Sequence, residues 1–245
     1  MAQSQMSPGG MPILHERDQP QGGLGRRLRD IILGGQDGLV NVLGLVLGLF
    51  AAGQKSTVII IGGLAATFAE SIAMGGVAYT SALAERDYYL AELARERREV
   101  EEVPELEREE VREIFRSKGL KGETLERVVA EITADKDIWV DVMMRDELHL
   151  TPVATEGLLT RAALTGVSTF VGSLIPLLPF FFLPVVPATI VAVPLSAIVL
   201  FAVGAYKALT LVGDWRLSGL QMLVIGMASA FAGFLIGRLL NANGI

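Results

Sequence analysis

The 245-residue chain has no cysteine and only two histidines, His15 and His149. Disulfides and thiolate metal centres are therefore excluded, and metal chemistry falls to carboxylate, thioether, hydroxyl, carbonyl or imidazole groups. That donor set suits hard or borderline divalent cations. Charge is also sparse, at 20% of residues, and it is unevenly placed: residues 85–152 hold 20 of the 27 acidic and 12 of the 21 basic side chains. The formal net charge of −6 offers no basic excess, so nucleic acid is not an expected partner.

Apolar sequence is abundant. Hydrophobic residues make up 51% of the chain, with 27 glycines, and the mean hydropathy of +0.47 is that of an integral membrane protein. A spanning helix needs about 20 mostly apolar residues. Five windows meet that length: Ile31–Ala52, Thr57–Leu83, Leu158–Leu178, Val186–Ala208 and Ser218–Leu240. The expected fold is an all-α integral membrane protein of five transmembrane helices, with a three-helix cytoplasmic domain inserted between the second and third spans. Its expected divisions are a disordered tail over 1–25, spans one and two over 26–84, the charged domain over 85–152, and spans three to five over 153–245. The tail is rich in Gln, Gly, Pro and Ser and lacks the apolar core of a signal peptide, which leaves the first span as the insertion signal.

Arg26, Arg27 and Arg29 precede span one, and Lys207 and Arg216 bracket the link between spans four and five. By the excess of positive charge on cytoplasmic flanks, the amino terminus is expected inside, the charged domain in the cytoplasm and the carboxyl terminus outside. The expected location is the inner or plasma membrane of a prokaryote, or a vacuolar membrane in a eukaryote.

Punctuation divides the charged block. A continuation of span two runs to about Val103, where Pro104 stops it; a second helix runs from Glu105 to Lys118 and ends at Gly119; a third runs from Gly122 to Leu150. Glu96 and Glu99 lie three apart, as do Glu107 and Glu110, so each pair shares a helix face. A face of solvated glutamates laced by Arg95, Arg97, Arg98, Arg108 and Arg112 has the same pattern. "WVDVMMRDELH" adds Met143 and Met144 on the side of Glu147, and thioethers beside carboxylates suit Fe²⁺ and its first-row neighbours better than Mg²⁺ or Ca²⁺. Inside the apolar windows, Asp37 lies near Gln36 and Asn41, and Glu70 lies one turn before Met74. Ionisable groups at such depth are costly and point to a path for ions or protons, although Asp37 also fits a helix-end residue near the headgroups and Met74 fits packing. Small residues at Gly34/Gly38, Gly44/Gly48, Gly62/Gly63 and Gly75/Gly76 permit close helix approach, within one chain or across a dimer seam.

"DGLVNVLGLVLGL", "ESIAMGGVAYTSALAERD" and "MMRDEL" resemble the signature stretches of the vacuolar iron transporter family, and the resemblance runs from Leu28 to Leu240. It implies a homodimer with five membrane helices per protomer that moves Fe²⁺, and often Mn²⁺ or other first-row ions, out of the cytosol as a metal/proton antiporter. The metal is then substrate, with no prosthetic group, and the partners are divalent ions, protons, the bilayer and a second copy. Carried over by position, Asp37 and Met74 fall on the translocation path; Glu70 and Asn41 are placed on the same path by their depth in the apolar windows. Glu96, Glu99, Glu107, Glu110, Met143, Met144 and Glu147 fall on the metal-gathering domain; a three-residue slip would bring in Glu102 and Glu113. Some members carry a further membrane glutamate where this chain has "GGLAATF", so the path differs or Glu70 takes that role.

Two rivals stand beside this reading. A membrane-bound di-iron enzyme is suggested by Asp146-x-x-His149, although the one other histidine is His15. A non-transporting scaffold would use the charged helices for a protein partner and would leave Asp37 and Glu70 unexplained.

Overall fold

The computed structural model describes residues 24–152, 157–211 and 213–242. The expected tail and His15 lie outside them, except that Leu24 and Gly25 open the first helix. Helix α1 spans Leu24–Ala51, α2 Ser56–Glu102, α3 Pro104–Ser117, α4 Gly122–Thr133, α5 Lys136–Val142, α6 Leu158–Leu177, α7 Val185–Leu211 and α8 Trp215–Ala242. A π-helical turn follows α5 at Met143–Glu147, and a 3₁₀ turn extends α6 over Leu178–Phe181. Helices α1, α2, α6, α7 and α8 are long and apolar enough to cross a membrane, and they fall on the five windows read from the sequence. Helix α1 starts ahead of its window because Leu28 and Ile32 continue the buried stripe that includes Leu39. Large apolar side chains face outward along these helices, among them Ile61, Phe68 and Ile72 on α2 and Ile190 and Ile198 on α7. Such faces are stable in hydrocarbon and not in water.

The chain forms two compact units, one of Met1–Ala78 with Thr160–Ile245 and one of Tyr79–Leu159. Helix α2 contributes its first part to the first unit and its remainder to the second.

Within the first unit, small residues set the helix spacing around α1. Gly48 on α1 and Gly233 on α8 approach so closely that a methyl added at Gly48 would lie 3.0 Å from the Gly233 carbonyl oxygen. Gly34 and Gly38 bring α1 against Thr165, Thr169 and Ser173 of α6. Lipid tails provide little drive for helix association, so this close backbone packing and the dispersion contacts it permits hold the bundle. The glycines that allowed either intramolecular packing or a dimer seam are thus largely engaged within the chain.

The second unit is built on a separate apolar core of Val100, Val111, Leu125, Val129, Trp139, Val140, Met143 and Met144. Val103, at φ −133°, is the only residue between α2 and α3, and Pro104 occupies the first turn of α3, where its missing N–H leaves no bond unmade. Gly119 closes α3 at φ +98°, a left-handed position that a side chain would strain. The single helix expected from Gly122 to Leu150 is divided. The Asp135 carboxylate accepts bonds from the backbone N–H groups of Asp137 (2.9 Å) and Ile138 (3.2 Å), ending α4 and capping α5.

Candidate functional site

The short α2–α3 link folds two acidic faces toward each other. Glu96 and Glu99 near the end of α2 meet Glu107 and Glu110 at the start of α3, with Glu147 added from the π turn; each of these groups is felt electrostatically by Glu107. Glu96 is 1% exposed and Glu107 3% exposed, unusual values for carboxylates. One helical turn beyond each lies a core valine, Val100 after Glu96 and Val111 after Glu107, and these pack with Met143 and Met144. The carboxylates therefore stand on the rim of an apolar core that contains two thioethers.

The electrostatics of this cluster are unfavourable as they stand. Burial pushes the Glu107 carboxyl up to about 7, and Glu110, Glu96, Glu99 and Glu147 push in the same direction. Glu147, on the open side, is also raised, by desolvation first and then by Glu110 and Glu96, with Arg95 opposing. The Oε2 atoms of both Glu96 and Glu107 are buried with no hydrogen-bond partner among the described residues. Two such oxygens a few side chains apart would be costly in a finished core. A divalent cation is the kind of group that would satisfy both. Among the described residues, no three carboxylate or imidazole groups are drawn together tightly enough to enclose an ion.

The alternative pair is placed differently. Glu102 and Glu113 are exposed, and Glu113 is bonded to Arg116 on its own helix. Asp146 is bonded to Lys118, and His149 follows the π turn at φ +55° on the surface, so the Asp-x-x-His spacing of the di-iron reading brings no second ligand set with it.

In the first unit, Asn41 ties the two membrane acids together. Its amide nitrogen donates to Asp37 Oδ1 at 3.4 Å on α1 and to Glu70 Oε1 on α2. Met74 lies one turn beyond Glu70 and is half-buried, whereas Asn41 is exposed on its helix. Gln36 instead lines an apolar groove with Leu39, Val171 and Val203.

Two features escaped the sequence reading. Asp30, 8% exposed, accepts a bond from Arg161 Nε at 3.1 Å, joining α1 to α6. The other is Arg95, which the charge pattern places among the surface lacing and which contacts Glu92, Glu96 and Glu99. Its position three residues after Glu92 and four before Glu99 was the available signal.

A model of the VIT family matches residues 28–238. The chain is 32% identical over 235 residues to "Vacuolar iron transporter 1" of Tulipa gesneriana, covering 95% of this chain and 94% of that protein. It is 34% identical over 211 residues to "Vacuolar iron transporter 1" of Eucalyptus grandis, covering 86% and 85%. It is 28% identical over 225 residues to "Protein CCC1" of Saccharomyces cerevisiae, covering 88% and 70%.

Proposed function

Since the chain belongs to the VIT family, we propose that its acidic second unit collects divalent iron in the cytosol and that Asp37, Asn41, Glu70 and Met74 pass it across the membrane. The protein is a multi-pass membrane transporter of iron, with metal as substrate, and not an enzyme. The observation that carries the collecting role is the pair of buried, unpartnered Glu96 and Glu107 oxygens beside Glu99, Glu110 and Glu147, standing over Met143 and Met144. Hard oxygens supply charge, and the thioethers bias the site toward softer first-row ions, with Mn²⁺ as the harder competitor.

The membrane triad supplies the next step. A cation leaving water needs oxygen ligands in hydrocarbon, and Asp37 and Glu70, bridged by one amide, are carboxylates on adjoining helices. The same carboxylates take up protons when the metal leaves, which supports metal/proton antiport with iron moving out of the cytosol. Exposure of Asn41 within an apolar helix is expensive in lipid and supports a second copy covering that face as a homodimer. The basic flanks around Arg27, Arg29, Lys207 and Arg216 favour a cytoplasmic amino terminus, an outer carboxyl terminus and the plasma membrane of a prokaryote, or the vacuolar membrane of a eukaryote.

The test is Fe²⁺ uptake into proteoliposomes with an imposed pH gradient. Wild-type protein is expected to drive uptake that collapses with the gradient, and Asp37→Asn and Glu70→Gln each to reduce it at least about tenfold, the scale of losing one charged ligand or proton carrier. Gradient-driven uptake at the wild-type rate in both variants would remove the membrane acids from the path.

A further inference from the structure

One cation of the chain itself already engages the carboxylates assigned to metal. Arg95 Nη2 lies 2.9 Å from Glu92 Oε2 and 3.0 Å from Glu96 Oε1, and Arg95 Nε lies 3.6 Å from Glu99 Oε2. We propose that Arg95 is a displaceable internal counter-ion, competing with the incoming divalent cation for Glu96 and Glu99 and so setting how tightly the second unit holds metal. The proposal rests on the metal-collecting reading of this cluster.

Two properties make the arginine displaceable. It is imperfectly held: among the described residues Nε is buried without a hydrogen-bond partner, and Glu92 Oε2 sits beside Nη2 without accepting an aligned N–H. Its side chain is also 43% exposed whereas that of Glu96 is 1% exposed, so the arginine can swing to water and the glutamate cannot. Because a buried carboxylate needs a positive partner, Glu96 exchanges one partner for another rather than standing alone. A dication bound by Glu96 and Glu99 would lie beside Arg95 and would repel the guanidinium at contact range. Metal capture and withdrawal of Arg95 are therefore one step, and return of Arg95 helps expel the ion. A transport protein gains from this, since a collecting site must bind firmly enough to load and weakly enough to release.

Calorimetric titration of the purified full-length protein with Mn²⁺ and with Zn²⁺ tests it. Arg95→Gln is expected to tighten both ions by roughly tenfold, and by the same factor, because a charge is removed and no ligand is changed. Arg95→Lys keeps the charge but loses the fork that spans two carboxylates, and should tighten binding by a smaller factor. Unchanged or weaker binding in Arg95→Gln, or a change that differs between the ions, would show the arginine to be a structural brace. If Arg95→Gln is not recovered folded, Arg95→Lys decides by the direction of its own shift. Glu96→Gln with Glu107→Gln is the control: wild-type binding that survives this pair intact would overturn the collecting reading itself, a result distinct from failure of the arginine variants alone.

Discussion

In the proposed collecting role Glu107 faces two conflicting demands, to be charged for a cation and to be neutral in a buried, acidic setting. Its carboxyl is pushed from the ordinary 4.5 up to about 7, so between those values the folded chain keeps a proton that the unfolded chain has lost. Folding stability should then fall as pH rises through that window, by about 1–3 kcal/mol. Thermal unfolding without added metal should show this decline in the wild type and a flatter profile in Glu107→Gln. Metal capture should run the other way, strengthening as pH rises through about 7, because a carboxylate must be ionised to act as a ligand. The methionines need a different substitution. Met143 and Met144 are 0% and 1% exposed in the core, and alanine there would cost about 2–5 kcal/mol each by leaving cavities. Leucine keeps the volume. Met143→Leu with Met144→Leu should leave the unfolding temperature close to wild type while weakening Zn²⁺ and Fe²⁺ relative to Mn²⁺ in competition titrations. Equal loss for every ion would mean that the thioethers only fill space.

Among the elements, the cap at the start of α5 is the most directly testable. Asp135→Ala removes the acceptor for two backbone N–H groups and should cost about 0.5–2 kcal/mol. Chemical denaturation followed by Trp139 fluorescence would measure it, with Trp215→Phe as background, and an unchanged midpoint would show the α4–α5 break to be held by packing alone. This break shows where the sequence was readable and where it was not. The spanning helices were legible because about 20 apolar residues in a row have few other fates. Pro104 and Gly119 were legible as punctuation because their backbone chemistry leaves few choices. Asp135 in "TADKD" has the chemistry of a cap, but the helical pattern on both sides of it masks the signal. The π turn at Met143–Glu147 had no such local signal; its wider winding, with Leu148 N–H bonded to the Met143 carbonyl, follows from packing against Val100 and Val111. Glutamate spacing allows two registers, and their burial differs: Glu96 and Glu107 are buried, while Glu102 and Glu113 are exposed. No pattern in one chain could show Asn41 bridging Asp37 and Glu70, since that contact depends on how α1 and α2 pack.

At the scale of the molecule, one helix of 47 residues carries Glu70 and Met74 in its first part and Glu96 and Glu99 in its last, so the proposed collection and passage share one continuous element. The division of labour predicts different kinetic signatures for the two acid groups. Initial rates of Fe²⁺ uptake into proteoliposomes, taken across a wide range of metal concentration at fixed pH gradient, separate them most directly. The account predicts that Glu96→Gln with Glu107→Gln raises the half-saturating concentration about tenfold or more while the maximal rate stays near wild type. Asp37→Asn with Glu70→Gln should abolish the maximal rate, with Fe²⁺ still bound by the protein. Wild-type half-saturation in the first pair, or a full maximal rate in the second, would contradict it.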